Sequence, residues 1–287
     1  MPDEFKANVR LRRIGRELRK WRTRAGHKNA EAAKLLKWSP AKISKIENAA
    51  QPIQGVDVIA LGLVYDVPED ERNALFQATL NAKETGWWHD YGTDVLFSAA
   101  QDFIELESEA TTERAFIADL VPGILQTEDY AKALSTTFLP SVDDTMTERR
   151  AAVRAKRQER LTGSAPLRTE VVIWEPALRQ GVGGAATARG QIDHLLALSE
   201  QENVTIQVVP AGIGAYPSMG SSFTMLGFAE KHFSEVVYLD SLTKGFYVED
   251  SDEVVAYIMT FEALQAAALD QKQSITLMGS IARSFSD

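Results

Sequence analysis

The sequence predicts an α+β protein: five helices at the N-terminus, then a larger α+β body with a mainly antiparallel sheet. Three observations carry this. Up to about residue 85 the apolar residues recur only at the three-and-four spacing of helices. Beyond it, helical stretches are interleaved with short, β-branched runs that read as strands. The last three of those runs are separated by short breaks, which makes them antiparallel neighbours.

In order, the first helix covers Asn8–Arg24, with Leu11, Ile14, Leu18 and Trp21 on one stripe and Arg and Lys opposite. Gly26 stops it. A short second helix spans Asn29–Leu36, with Asn29 as its N-cap. The third has the clearest start signals: Ser39 at the N-cap, Pro40 at the first helical position, and Trp38 with Ile43 as a hydrophobic staple. Helices over Gly55–Tyr65 and Pro68–Lys83 complete the set. The latter places Glu69, Asp70 and Glu71 at its positive dipole end. A helical pattern ends at Gly86, which puts a seam at Thr85–Trp88 and divides the chain into domains 1–85 and 86–287.

The body reads as helices over Thr93–Glu109, Thr127–Ser135, Asp144–Leu161, Ala186–Gln201, Asp252–Ala268 and Lys272–Ser284. Its strands are Arg114–Ile117, Thr169–Trp174, Val204–Val209, Ser222–Phe228, Glu235–Leu239 and Gly245–Val248.

Composition narrows the function. The 287 residues are 45% apolar and 25% charged, ordinary for a folded chain. The absence of Cys excludes disulfides, thiolate zinc sites and Cys catalysis. The N-terminus lacks the apolar core of a signal peptide. The longest apolar stretch, around Val56–Val64, is far short of the roughly 20 residues of a membrane span. A cytoplasmic protein with no membrane partner is expected. The net charge of -9 conceals an asymmetry. Residues 1–50 hold 14 Lys and Arg against 5 Asp and Glu, a net of +9, leaving 17 against 35, a net of −18, for the rest. A basic head on an acidic body suggests a nucleic-acid-binding end; a solvated basic helix face is the plainer alternative.

The third helix favours the first reading. Ala41, Ser44, Lys45 and Asn48 fall at i, i+3, i+4 and i+7, one outward stripe that is small, polar and basic. Two short helices joined by a tight turn, the second presenting such a stripe, follow the helix-turn-helix plan. Such a helix fits the major groove of B-DNA. Lys45 can donate to guanine, Asn48 can pair with adenine or hold a phosphate, Ser44 suits either, and Ala41 suits a thymine methyl. Lys28, Lys37, Lys42 and the basic face of the first helix would attract phosphates.

Residues 17–66 resemble an XRE-type helix-turn-helix domain, and Ser39-Pro-Ala-Lys-Ile-Ser-Lys-Ile-Glu-Asn48 is similar to that family's recognition helix. The resemblance implies that Pro40, Ala41, Ser44 and Lys45 face bases, with Ser39 beside them, and that Asn29 meets phosphate or a base. It also implies a structural ion pair between Arg22 and Glu47. Two glycines of the family pattern are replaced here by Lys37 and Ala49. A left-handed turn is costly for a residue with a Cβ, so a reshaped turn is expected at Lys37.

Farther on, Gly86-Trp-Trp-His-Asp-Tyr91 and Leu120-Val-Pro-Gly-Ile-Leu-Gln-Thr-Glu-Asp-Tyr130 resemble the second domain of actinobacterial antitoxin-like XRE regulators. Echoes follow at Asn203–Pro210, Phe223–Leu226 and Tyr247–Asp250. The resemblance implies a transcriptional regulator, in this family often encoded beside a small partner protein.

Other constellations are weak. His27, His89, His194 and His232 fit no metal-ligand spacing, and neither a metal nor a cofactor is expected. Gly181-Val-Gly-Gly-Ala-Ala186 fits a loose dinucleotide pattern, but Trp174–Gln180 intervenes between strand and glycines. Neither a P-loop nor a nucleophile elbow is present. Arg149, Arg150, Arg154, Lys156, Arg157 and Arg160 read first as a solvated face. The sharper alternative puts Arg150, Arg154 and Arg157 on an anionic ligand, a DNA flank or an acidic partner. Trp87, Trp88 and Tyr91 could line an effector pocket; packing at the domain junction is the plainer role.

The expected function is therefore sequence-specific, non-enzymatic DNA-binding regulation. One recognition helix covers about half a site, so a homodimer on a pseudo-palindromic duplex is expected. A protein-binding antitoxin without DNA recognition is the main alternative, and an enzyme in the body the weaker one.

Overall fold

The computed structural model describes residues 5, 7–82, 86–91, 98–138, 143–229, 235–241 and 244–285. The expected helix end at Lys83, the seam residue Thr85, the expected helix start at Thr93, and His232 lie outside these. The chain divides into two units: a first up to Trp87, and a second comprising Trp88–Ala229 with Ser234–Asp287.

The first unit holds α1 (Val9–Arg24), α2 (Asn29–Leu36), α3 (Pro40–Glu47), α4 (Gly55–Val64) and α5 (Glu69–Asn81). Asn8 caps α1, its side-chain oxygen accepting from the Leu11 N–H at 2.9 Å. The stripe Leu11, Ile14, Leu18 and Trp21 is buried with Ala33, Ile43, Ile46, Val58 and Leu61 in one core. Burial of such apolar area is the main term holding short helices together. Gly15 lets α1 approach α3 closely, since a Cβ there would lie 2.8 Å from the carbonyl oxygens of Ile46 and Glu47.

Four helices of this unit stop by the same device. Gly26, Lys37, Ala49 and Asp66 are left-handed, at φ 74°, 56°, 47° and 53°. In each case the next N–H reaches back five residues: His27 to Arg22, Trp38 to Ala33, Ala50 to Lys45 and Val67 to Gly62, all within 3.1 Å. This is the Schellman closure, which satisfies carbonyls orphaned at a helix end. The reshaped turn expected at Lys37 is therefore not found. The backbone accepts the Cβ cost because the returned hydrogen bond and the burial of Trp38 against the core offset it.

The second unit is α+β. It runs α6 (Ser98–Glu109), β1 (Thr112–Ile117), α7 (Glu128–Phe138), α8 (Asp144–Gln158) and β2 (Arg168–Trp174). Then come the single turn α9 (Glu175–Leu178), α10 (Ala185–Leu198), β3 (Val204–Val209), β4 (Phe223–Gly227), β5 (Val236–Asp240) and β6 (Gly245–Val248). It ends with α11 (Ser251–Ala267) and α12 (Gln271–Ser284). The six-stranded sheet has the order β3-β2-β1-β4-β5-β6. Pairs β4–β5 and β5–β6 are antiparallel, as the short breaks implied, and β1–β4 is antiparallel as well. Pairs β1–β2 and β2–β3 are parallel, because helices cross over between them and return the chain in the same direction. Phe116, Val172, Val209, Phe223, Met225 and Val237 point to one face and are buried against Val254, Phe261 and Leu264 of α11. No helix among the described residues is long and apolar enough to cross a membrane.

Candidate nucleic-acid interface

The interface is built on α2, the left-handed turn at Lys37, and α3. The Ser39 hydroxyl accepts from the Lys42 N–H at 3.1 Å, and Pro40 opens the helix where no N–H is required. Ile43 and Ile46 are fully buried, which fixes the rotation of α3 about its own axis. That rotation leaves Ser39, Pro40, Ala41 and Lys45 exposed, with Ser44 half-buried beside them.

Two expected details are corrected. Asn29 is not the N-cap of α2 but its first residue; Lys28 occupies the cap position with extended backbone. Glu31 explains the shift, since its carboxylate accepts the Lys28 N–H at 2.8 Å and closes the first turn from the third position. Asn29 is half-buried and Lys28 exposed at that end. Asn48 is not within α3, which ends at Glu47, but at its C-cap. Its amide nitrogen turns back to donate to the Ser44 carbonyl at 2.8 Å and the Ser44 hydroxyl at 3.3 Å.

Beneath α3 lies a bidentate ion pair. Arg22 Nε and one terminal nitrogen donate to the two Glu47 carboxylate oxygens at 2.7 and 2.9 Å. The other terminal nitrogen donates to the His27 carbonyl at 2.9 Å. The hydrogen bond to Glu47 and its charge raise the Arg22 pKa against the effect of burial. One guanidinium thus ties the end of α1, the entry to α2 and the end of α3. The Tyr65 hydroxyl is buried nearby, and burial beside Glu47 pushes its pKa well above the ordinary phenol value.

Lys42 does not stand as a free cation. Its ammonium lies 2.8 Å from Asp57 Oδ1 and 3.5 Å from the centre of the Trp38 ring. Asp57 is buried, and its other oxygen accepts the Gln54 N–H at 3.2 Å, capping α4. Sequence spacing gave no sign of this contact, because the two partners lie on different helices.

The expected ligand contacts beyond the helical core lie in the turn Trp87–Tyr91 and on α8. Trp88 is buried within the turn Trp87–Tyr91, whereas Trp87 and Tyr91 are half-buried. Tyr91 lines an open cavity of about 330 Å³ with Glu128, Glu148, Ala152, Ala155, Lys156 and Glu159. The Tyr91 carbonyl accepts from Arg149 at 2.7 Å. The basic run of α8 is not one solvated face, because helical rotation divides it. Lys156 is exposed and pairs with Glu159 at 2.7 Å. Arg157 turns inward and grips Glu107 with two bonds of 2.6 Å. Arg150 is half-buried. Arg154 is largely buried, and burial together with Arg157 and Arg150 lowers its pKa to about 10.

Glu113 on β1 joins this cluster, fully buried. Burial, with the negative charge of Glu107 beside it, pushes its carboxyl up to about 8. Both effects favour its protonated form. Neither Glu107 nor Glu113 was expected as part of a site: acids in an amphipathic helix and a short strand carry no pattern of their own. The glycine loop after β2 is preceded by α9, so the strand does not turn directly into α10 as dinucleotide binding requires.

Residues 100–280 match the family described as Domain of unknown function (DUF5753). The chain belongs to the DUF5753 family. Ahead of that region, residues 13–75 match the Helix-turn-helix domain, a stretch running from α1 into α5. This member of the DUF5753 family thus carries a DNA-binding domain, which makes it a DNA-binding regulator. The Glu107–Glu113–Arg157 cluster lies within the DUF5753 region, and the Arg22–Glu47 pair within the helix-turn-helix region. No curated protein matches the chain at a significant level.

Proposed function

We propose that the chain is a sequence-specific, XRE-type transcriptional regulator, an antitoxin-like repressor that binds a pseudo-palindromic duplex as a homodimer in the cytoplasm. The observation that carries the reading is the presentation of α3. It is capped by Ser39, fixed from below by Ile43, Ile46 and the Arg22–Glu47 pair, and exposes Ala41 and Lys45. A rigid helix with a small polar surface is what major-groove readout needs. Lys45 is assigned to a guanine, Ser44 and Ala41 to neighbouring base edges, and Lys28, Asn29, Ser39 and Pro40 to the flanking backbone and bases. Asn48 contributes once its amide leaves Ser44.

Residues 1–85 are assigned to DNA and 86–287 to oligomerisation and to a small partner protein or ligand that modulates binding. The division into two units near Trp87 is consistent with that assignment. No catalytic step is assigned to the chain. Two recognition helices on one DNA face would sit about 34 Å apart.

The test is selection from a randomised duplex pool, followed by affinity measurement on the enriched sequence. Lys45→Ala is expected to relax preference at one base pair by about 1–3 kcal/mol per half-site. Unchanged preference in that variant would remove Lys45 from the groove and sink the reading.

A further inference from the structure

We infer that Lys42 is a positioning residue that sets base selectivity through Asp57, and that it contributes no phosphate contact. The inference rests on the DNA-binding reading above. By residue type and place, a lysine in the first turn of a recognition helix reads as a phosphate ligand. Its ammonium, however, is already engaged on both sides, with Asp57 Oδ1 at 2.8 Å and the Trp38 ring centre at 3.5 Å.

The partners explain why this contact positions the helix. Trp38 directly precedes the Ser39 cap and is packed against the core, so it marks where α3 begins. Asp57 is the third residue of α4, and its carboxylate simultaneously accepts the Gln54 N–H that starts that helix. The Asp57 side chain is only 7% exposed and that of Lys42 35%. One carboxylate therefore joins the starts of α3 and α4, and the lysine carries the restraint between them. The Arg22–Glu47 pair holds the other end of α3. With both ends tied, α3 cannot pivot about the Ile43–Ile46 contact, and Lys45 and Ser44 keep a single angle toward a groove. A lysine so engaged displaces no counterion from DNA, since its charge is met within the protein.

The full chain is used for the test. Wild type, Lys42→Met, Lys42→Arg, Asp57→Asn and the Lys42→Met/Asp57→Asn double variant are each passed through selection from a randomised duplex pool. Their affinity for one fixed-sequence duplex is then followed against salt. Lys42→Met is expected to lower preference at several base pairs while leaving the slope of log affinity against log salt unchanged. Asp57→Asn is expected to reproduce that loss, the double variant to add nothing, and Lys42→Arg to restore selectivity. A slope that falls by about 0.9 per bound protomer in Lys42→Met, the value for one lost phosphate contact, would overturn the inference. So would an Asp57→Asn variant with full selectivity. If the wild type enriches no sequence, the DNA-binding reading fails first, and the inference with it.

Discussion

The two units handle buried charge in opposite ways. In the helical unit the buried Glu47 and Asp57 each have a cation of their own, Arg22 and Lys42. In the DUF5753 unit two buried acids, Glu107 and Glu113, face a single Arg157. A buried carboxylate with a dedicated partner has its charge met within the protein. One that must share is better off protonated, because a second negative charge in the interior is not compensated. In the second unit, burial and the charge of Glu107 push Glu113 toward its protonated form.

The largest effect is expected at Arg157. Arg157→Met leaves the buried Glu107 without a cation and is expected to cost about 3–5 kcal/mol, the usual penalty for breaking a buried pair. Urea unfolding of the full chain, followed by Trp fluorescence and far-UV circular dichroism, reads the loss. A change below 1 kcal/mol would mean that the cluster is solvated in solution. Glu47→Gln is expected to cost less, about 1–3 kcal/mol, because one acceptor survives and the Arg22 bond to the His27 carbonyl remains.

The smallest effect at neutral pH, and the most diagnostic, is Glu113→Gln. The folded-state pKa of Glu113 is raised, so its contribution to stability is fully present below the ordinary value of 4.5 and is lost as pH rises through about 8. The wild type should therefore lose stability progressively between pH 5 and pH 9, and Glu113→Gln should flatten that decline. Equal slopes in the two proteins would show that Glu113 is ionised at neutral pH.

Legibility in the sequence followed the same divide. Helices α1 to α5 were readable because caps and stripes act locally: Asn8, Ser39, Pro40 and the acids opening α5 each mark a start within one turn. Both ends of β3 and of β6 were readable from β-branched runs and flanking turns. The cap of α2 was misread because Glu31, three residues on, closes the turn better than Asn29 does. The turn at Lys37 was misread because Cβ strain is a local cost, whereas the Schellman bond and Trp38 packing that offset it are formed only in the folded chain. The two parallel strand pairs passed unnoticed, although the helices between those strands were the signal for a crossover.

Of the candidate site, the outward stripe of α3 follows from local pattern alone, since a 3.6-residue repeat with Ile43 and Ile46 inward leaves little freedom for Ala41, Ser44 and Lys45. Composition alone sets the charge asymmetry of +9 against −18, and with it which end of the chain is drawn to an anionic partner. Which of those charges remain available depends on packing between distant parts of the chain. Lys42 is taken by Asp57 on the next helix, Arg22 by Glu47, and Arg157 by a helix 50 residues away. A side chain's charge is fixed by its type, but its partner is chosen by whichever opposite charge the packing buries beside it.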